Sequence, residues 1–188
     1  RVTFDEGIAP GEKPYDFNIQ QYSVTEERRE FVDFSIVYYQ PRKAVVALAD
    51  SPVADATSFE ELRRASWGAT IGTTDLDYIE NRIGVEDVAV FSDQAGTFQA
   101  LLGGQIDATT QSVPTALFAT AVQVPEAEIV AVLPEDPNDL GHGLVFEKGN
   151  PIVPWVNDAL RAIIERGVVD DLADEYLVAG EDIQEIDE

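Results

Sequence analysis

Two short segments of the chain combine hydroxyl side chains with groups that can hold an anion. In the first, YSVTEERRE, Ser23 and Thr25 stand just before Arg28, which lies one turn inside a predicted helix. A guanidinium group can donate two parallel hydrogen bonds to a carboxylate, so this spacing suits a carboxylate site. The alternative is an ion pair on the surface of the helix, which is the commoner role of a helical arginine.

The second segment is IGTTDLDY, in which Gly72, Thr73 and Thr74 follow a predicted strand and precede a predicted helix. Backbone N–H groups and hydroxyls at such a turn can bind an anion. The alternative is that one threonine only caps the helix. Both segments therefore predict binding chemistry, and each has a purely structural alternative.

Catalytic and metal-binding chemistry has few residues to draw on. His142 is the only histidine, there is no cysteine, and neither a G-x-S-x-G nor a D-x-D-x-D-G segment occurs. His142 stands between two glycines in a predicted linker, where a structural role or a place at the rim of a site is the simpler interpretation. We therefore predict that the protein is not an enzyme and needs no cofactor or metal.

The composition is that of a soluble globular protein with an acidic surface. Of 188 residues, 45% are hydrophobic, and 36 acidic residues against 12 basic ones give a formal net charge of -24. Such a charge argues against nucleic acid as a partner. No apolar run is long enough to cross a bilayer. Because the chain starts at Arg1 and lacks methionine, we expect a processed or truncated product whose export signal is outside this sequence.

Strand-like and helix-like segments alternate through the middle of the chain. Strand-like runs at Val2–Phe4 and Tyr15–Ile19 come first, and a short helix follows Thr25. The next predicted elements are, in order, a strand at Lys43–Ala49, a helix at Phe59–Arg64, a strand at Gly68–Ile71, a helix from Thr74, a strand at Val88–Phe91, a helix at Gln94–Leu102, a strand at Ile106–Thr110, a helix at Pro114–Ala121 and a strand at Ile129–Leu133. This alternation predicts a mainly parallel sheet with helices on both faces.

The alternation stops at Pro134–Gly143, which contains two prolines and two glycines and is predicted to be a linker. Two amphipathic helices follow it. The first has an apolar stripe of Val156, Ala159, Leu160, Ile163 and Ile164, and the second one of Val169, Leu172, Tyr176 and Leu177. The acidic tail, EDIQEIDE, is predicted to be solvated.

Five motifs resemble, in the same order, those of one known family. They are YSVTEERREFVDFSIVYY, IGTTDLDY, ALLGGQIDA, LGHGLVFEKGNP and VNDALRAIIERGVVDDLADEYL. Together they resemble the extracytoplasmic solute-binding proteins of polar amino-acid ABC importers, family 3, which have the type II periplasmic-binding-protein fold. The resemblance runs over nearly all of the chain.

The resemblance implies an α/β protein with two lobes. Lobe 1 is expected to comprise residues 1–41 and 141–188, and lobe 2 residues 42–140. The crossings near Tyr39–Arg42 and Asp136–Leu140 are expected to act as hinges. The first strand–helix unit that the family has in lobe 1 is missing from this sequence, so lobe 1 is expected to be incomplete at its N-terminus.

The resemblance also implies roles for individual residues. Arg28 matches the arginine that binds the α-carboxylate of the ligand, with Ser23 and Thr73 as further donors to that carboxylate. Gln21 stands where the family directs a backbone carbonyl toward the amino group of the ligand. Arg29 is expected to be solvated. The remaining predicted ligand-binding residues are Gly72, Thr74 and Ser112.

Ser112 is a departure from the family pattern. The family usually has an aspartate there, which pairs with the α-ammonium group, whereas a serine hydroxyl cannot neutralise a cation. Two alternatives remain open: the ligand has a carboxylate but no α-ammonium group, which we favour, or a carboxylate elsewhere replaces the aspartate. Asp107 is a poor substitute, because we expect it to take part in the packing of lobe 2.

The implied function is that of the substrate-binding component of an ABC importer. Such a protein binds an amino acid or a related small carboxylate between its lobes, acts as a monomer in the periplasm or at the cell surface, with or without a lipid anchor, and has the permease as its partner. A ligand-sensing receptor domain is an alternative. A dehydratase on the same fold is another, and it would need a set of acid and base residues that this sequence does not reveal.

Overall fold

The computed structural model describes residues 2–177 and 183–186. The chain forms two compact α/β units, one comprising Arg1–Pro41 with Pro137–Val178 and the other Arg42–Asp136 with Ala179–Glu188. We call these the first and the second unit. The predicted lobe boundaries follow residues 41 and 140, whereas the observed boundaries follow residues 41, 136 and 178. Residues 183–186, which were predicted to belong to lobe 1, therefore belong to the second unit. Residues 1, 178–182 and 187–188 of the predicted lobe 1 lie outside the described residues.

Eight helices and eight strands are found within the described residues. The helices are α1 (Phe4–Ile8), α2 (Glu26–Arg29), α3 (Phe59–Leu62), α4 (Thr74–Tyr78), α5 (Gln94–Leu102), α6 (Val113–Phe118), α7 (Val153–Glu165) and α8 (Val168–Tyr176). The strands are β1 (Asn18–Ser23), β2 (Val32–Phe34), β3 (Lys43–Leu48), β4 (Trp67–Thr70), β5 (Val88–Phe91), β6 (Ala108–Ser112), β7 (Ala127–Val132) and β8 (His142–Glu147). The chain continues α4 and α6 as π-helical segments at Ile79–Ile83 and Ala119–Gln123.

The first unit is built on a small antiparallel sheet. Its strand order is β1-β8-β2, with β8 antiparallel to both neighbours. Tyr22, Val32 and Val145 form its buried apolar cluster, against which Phe4 and Phe34 pack. The sequence did not reveal β2, which has three residues, or β8, whose partners β1 and β2 are distant along the chain.

Two predictions for the first unit are wrong. The predicted strand Val2–Phe4 is instead the start of α1, because the Thr3 N–H donates to the Glu6 carboxylate at 2.8 Å and closes the first helical turn. The predicted linker contains the first residues of β8, because His142 pairs with Ser23 across the sheet and bridges to Tyr39. His142 belongs to a strand because its backbone pairs with residues that are distant along the chain.

The second unit contains a five-stranded mixed sheet of order β5-β4-β6-β3-β7. Strand β4 runs parallel to β5 and β6, whereas β3 runs antiparallel to β6 and β7. The prediction of a mainly parallel sheet is therefore wrong for the β3 side. Alternation of strands and helices along the chain does not determine whether neighbouring strands of a sheet run parallel or antiparallel.

Strand β3 explains the continuous apolar run in the sequence. Val45 and Ala47 belong to one buried cluster of the second unit, and Ala44 and Val46 to another. Successive side chains of a strand point to opposite faces, so both faces of β3 are covered by apolar packing.

The described part of the tail is solvated only in part: Gln184 and Glu185 are exposed, as predicted, whereas Ile186 is buried. The Val132 N–H donates to the carbonyl of Gln184 at 2.8 Å, and the Ile186 N–H donates to the carbonyl of Val132 at 3.0 Å. Ile186 is buried in the apolar cluster that includes Val130. The tail thus adds to the β7 edge of the second unit, because burial of the Ile186 side chain is favourable while Glu185 remains solvated.

Candidate functional site

The first unit holds Arg28 in a buried and oriented position. The hydroxyl of Thr25 caps α2 by accepting from the Arg28 N–H at 3.2 Å. The Arg28 side chain then folds back, and its Nη1 donates to the carbonyl of Ser23 at 2.7 Å. Arg28 is only 8% exposed, so it is not the surface ion pair of the alternative interpretation. That role falls to its neighbour Arg29, whose Nη1 lies 2.8 Å from the Glu26 carboxylate at the surface.

An aromatic pair packs against the Arg28 guanidinium group. The Arg28 Cζ atom lies 5.6 Å from the centre of the Phe4 ring, within the range of a cation–π interaction. The Phe4 ring stacks on Tyr22 at 4.5 Å, and burial raises the pKa of the Tyr22 phenol. The sequence did not reveal Phe4, because no spacing rule connects it with a residue on a later helix.

Both the side chain and the main chain of Ser23 form hydrogen bonds. Its hydroxyl donates to Oδ2 of Asp139 at 2.7 Å, while its carbonyl accepts from Arg28. The other Asp139 oxygen, Oδ1, accepts from the Gly141 N–H at 3.0 Å. Ser23 was predicted to donate its hydroxyl to a ligand carboxylate, whereas in this structure the hydroxyl donates to the Asp139 carboxylate. Asp139 itself fell in the predicted linker and was missed.

Gln21 is the single non-glycine residue with a positive φ angle among the described residues, at 56°. It lies in β1 at the irregularity between Asn18 and Tyr22, where the register with β8 shifts. A side-chain-bearing residue in the left-handed region is uncommon, and such residues concentrate at functional sites. The sequence pattern gave no sign of this conformation.

The glycine–threonine turn of the second unit is largely a helix cap. The Thr73 hydroxyl donates to the carbonyl of Thr70 at 2.7 Å and accepts from the Leu76 N–H at 3.3 Å. Gly72 precedes it with a φ of 72°, which glycine adopts readily. The structure therefore gives Thr73 the capping geometry that was the alternative for this turn.

A lysine that sequence reasoning did not single out lies beside this turn. Lys43, the first residue of β3, is 7% exposed, and its Nζ contacts Thr74 Oγ1 at 2.9 Å and Asp75 Oδ1 at 3.0 Å. Ser112 is directly opposite Lys43 in the β3–β6 ladder, and its hydroxyl donates to Thr115 Oγ1 at 3.0 Å. Ser112 thus has a lysine as its cross-strand neighbour.

The remaining candidates have structural roles in this fold. His142 is buried, with its ring centre 6.3 Å from those of Tyr38 and Tyr39, and burial raises the pKa of both phenols. Asp107 accepts from the Ser66 N–H at 2.8 Å and from its hydroxyl at 2.6 Å, within the second unit as expected.

Metal-binding clusters and membrane-spanning helices are both absent from the described part of the chain. The described residues contain no group of three or more histidine, cysteine, aspartate or glutamate side chains placed to hold a metal ion. None of the helices within residues 2–177 and 183–186 has the length and apolarity needed to span a bilayer.

Comparison with known families agrees with the motifs. The sequence model of the bacterial extracellular solute-binding proteins, family 3, matches residues 2–179. The match thus includes β1 to β8 and both units of the described structure.

Solved structures agree on the fold. A mutant of ArgBP from T. maritima is 25% identical, with a TM-score of 0.75 over 95% of this chain and 76% of that one. An ancestral arginine-binding protein bound to arginine is also 25% identical, with a TM-score of 0.68 over 86% of this chain and 71% of that one. The ligand-binding domain of AvGluR1 in complex with alanine is 22% identical, with a TM-score of 0.72 over 88% of this chain and 69% of that one. These matches confirm the type II periplasmic-binding-protein fold.

Proposed function

Because the chain belongs to the bacterial extracellular solute-binding proteins, family 3, we propose that it binds an amino acid or a related small carboxylate as the substrate-binding component of an ABC importer. It acts outside the cytoplasmic membrane, as a monomer, and delivers its ligand to the importer's permease. It performs no chemistry on the ligand. The arginine-binding proteins among its structural neighbours support an amino-acid ligand.

The observation that carries this proposal is the position of Arg28. A buried arginine needs fixed partners, and the Ser23 carbonyl and the Phe4 ring orient its guanidinium group. An oriented guanidinium group loses little conformational freedom when it binds a carboxylate, which raises affinity. We propose that Arg28 binds the carboxylate of the ligand and that the backbone carbonyl of Gln21 faces its amino group.

In the second unit we propose a supporting role for Gly72, Thr73, Thr74 and Ser112. Their backbone groups and the Ser112 hydroxyl are the candidate contacts. The Thr73 hydroxyl is hydrogen-bonded to Thr70 and Leu76, and the Thr74 hydroxyl accepts from Lys43. The ligand-binding contribution of this turn is therefore expected to be smaller than that of Arg28.

A receptor domain is the second candidate. It is favoured by the likeness to the AvGluR1 ligand-binding domain, which was solved in complexes with alanine, methionine, glutamate and serine. The two candidates share the binding chemistry and differ in the partner. Ligand uptake into vesicles that contain the cognate permease separates them, because a receptor domain does not support transport.

The experiment that tests the binding proposal is a thermal-shift screen against the twenty amino acids, simple carboxylates and polyamines. A compound that binds only the folded state raises the melting temperature by mass action. We expect amino acids or carboxylates to give the largest shifts. Shifts from polyamines alone, or from none of the three classes, would contradict the proposal.

A further inference from the structure

One residue of the first unit holds two opposite charges close together. The carbonyl of Ser23 accepts from the Arg28 guanidinium group at 2.7 Å, and the hydroxyl of Ser23 donates to the Asp139 carboxylate at 2.7 Å. Each charge is therefore one hydrogen bond away from the same residue, which is 4% exposed. The Gly141 N–H fixes the second oxygen of Asp139.

This arrangement restricts the charge of a group that binds beside the Ser23 side chain. A ligand carboxylate at the Ser23 hydroxyl would lie against the Asp139 carboxylate, and like charges at this distance repel strongly in a partly buried site. A cationic group there would instead be attracted to Asp139. Ser23 is thus better suited to position Asp139 than to donate to a ligand carboxylate.

At Ser112, in the second unit, the cross-strand neighbour is a lysine and not a carboxylate. The cross-strand neighbour of Ser112 is Lys43, whose Nζ atom lies 3.0 Å from an oxygen of the Asp75 carboxylate. An ammonium group beside Ser112 would meet a like charge and a neutral hydroxyl. Its desolvation would not be offset there.

We propose that Asp139 is a specificity-determining residue, which binds the ammonium group of a zwitterionic amino acid whose carboxylate binds Arg28. This inference rests on the proposed function and narrows its ligand class. Amino acids are ligands, and their analogues without the α-amino group are poor ones. Of the two alternatives for Ser112, we therefore now favour the second, in which a carboxylate elsewhere in the chain replaces the usual aspartate and pairs with the α-ammonium group.

The test compares four amino acids with their analogues that lack the α-amino group. The pairs are L-arginine with 5-guanidinopentanoate, L-glutamate with glutarate, L-methionine with 4-(methylthio)butanoate, and L-alanine with propanoate. Calorimetric titration measures each affinity for wild type, Asp139→Asn and Asp158→Asn. Asp139→Asn removes the charge and keeps an oxygen acceptor for Ser23 or Gly141. Asp158→Asn removes the same charge from an exposed carboxylate of the same unit.

We expect Asp139→Asn to weaken binding of the preferred amino acid by about tenfold to a hundredfold. The analogue should bind this variant as well as it binds wild type, or better, and Asp158→Asn should match wild type for both compounds. Equal weakening of amino acid and analogue would show a structural role for Asp139 and overturn the inference. Equal tightening would show that Asp139 competes with the ligand carboxylate, which also overturns it.

Two further outcomes separate the inference from the proposed function. If wild type binds an analogue as tightly as its amino acid, carboxylate binding stands and the role of Asp139 falls. If wild type binds none of the eight compounds and the thermal-shift screen finds no other amino acid or carboxylate that binds, the proposed function itself fails and the inference falls with it.

Discussion

The two units of the chain are stabilised in different ways. In the second unit, apolar clusters cover both faces of β3, and Trp67, Leu62 and Leu101 are fully buried. In the first unit, the buried apolar cluster is small, and none of the residues in α7 or α8 is buried. The first unit nevertheless contains the buried arginine.

The two units also differ in how a buried cationic side chain is held in each of them. Arg28 is fixed by a capping threonine, a backbone carbonyl and an aromatic ring, whereas Lys43 of the second unit is fixed by a carboxylate and a hydroxyl at the edge of a large core. Regions with few buried apolar contacts open more easily than well-packed ones. We therefore expect ligand binding to stabilise the first unit more than the second.

The largest expected effect is on stability, and a pair of leucine substitutions, one in each unit, tests it. Leu101→Ala should lower the free energy of unfolding by about 2–5 kcal/mol, because it leaves a cavity in the second unit. Leu160→Ala on α7 should cost less than about 1 kcal/mol, because that side chain is not buried. Urea denaturation of both variants measures the difference. Equal losses would contradict the contrast between the units.

Arg28→Ala is expected to have the next largest effect, on ligand affinity. It should weaken binding by about 2–4 kcal/mol, as for the loss of one partner of a buried charge pair. Arg28→Lys should also weaken it, because an ammonium group cannot donate the paired hydrogen bonds of a guanidinium group. Calorimetric titration with the compounds found in the thermal-shift screen gives these values.

The control for Arg28 is its neighbour on the same helix. Arg29→Ala removes an exposed ion pair with Glu26 and should leave affinity unchanged. Unaltered affinity in Arg28→Ala, or equal losses in both variants, would show that Arg28 does not bind the ligand.

Lys43→Met is expected to have a smaller effect, on stability. It leaves Asp75 without its cation, which should cost about 1–3 kcal/mol, since the pair is buried but the Asp75 side chain retains some exposure. The double variant Lys43→Met/Asp75→Leu should recover part of this loss. Urea denaturation of wild type, Lys43→Met, Asp75→Leu and the double variant completes the cycle, and strict additivity of the two single changes would argue against a coupled pair.

The smallest effect expected is a shift of the melting temperature with salt. A net charge of -24 produces self-repulsion in the folded state, and salt screens it. We expect the melting temperature to rise by a few degrees between dilute buffer and molar salt. A constant or falling melting temperature would indicate that the acidic composition does not limit stability.

The sequence predicted the parts of this structure that depend on local signals. A strand was predicted at Lys43–Ala49 from its continuous apolar run and is observed at Lys43–Leu48. Arg28 was singled out from its spacing to Thr25. Phe4, Lys43 and Asp139 were not recognised as neighbours of the candidate residues. Their contacts join positions that are distant in the chain, and no periodicity or capping rule encodes such a contact. The antiparallel direction of β3 was missed for the same reason.

The central claim is that Arg28 binds the carboxylate of an amino acid, and a cycle between protein and ligand tests it most directly. Wild type and Arg28→Ala are titrated with L-arginine and with L-argininamide, in which the carboxylate is replaced by a neutral amide. If Arg28 and the carboxylate interact, wild type should discriminate strongly between the two compounds and Arg28→Ala should not, so the two losses are not additive. If Arg28→Ala discriminates between acid and amide as wild type does, Arg28 does not contact the carboxylate and the account is wrong.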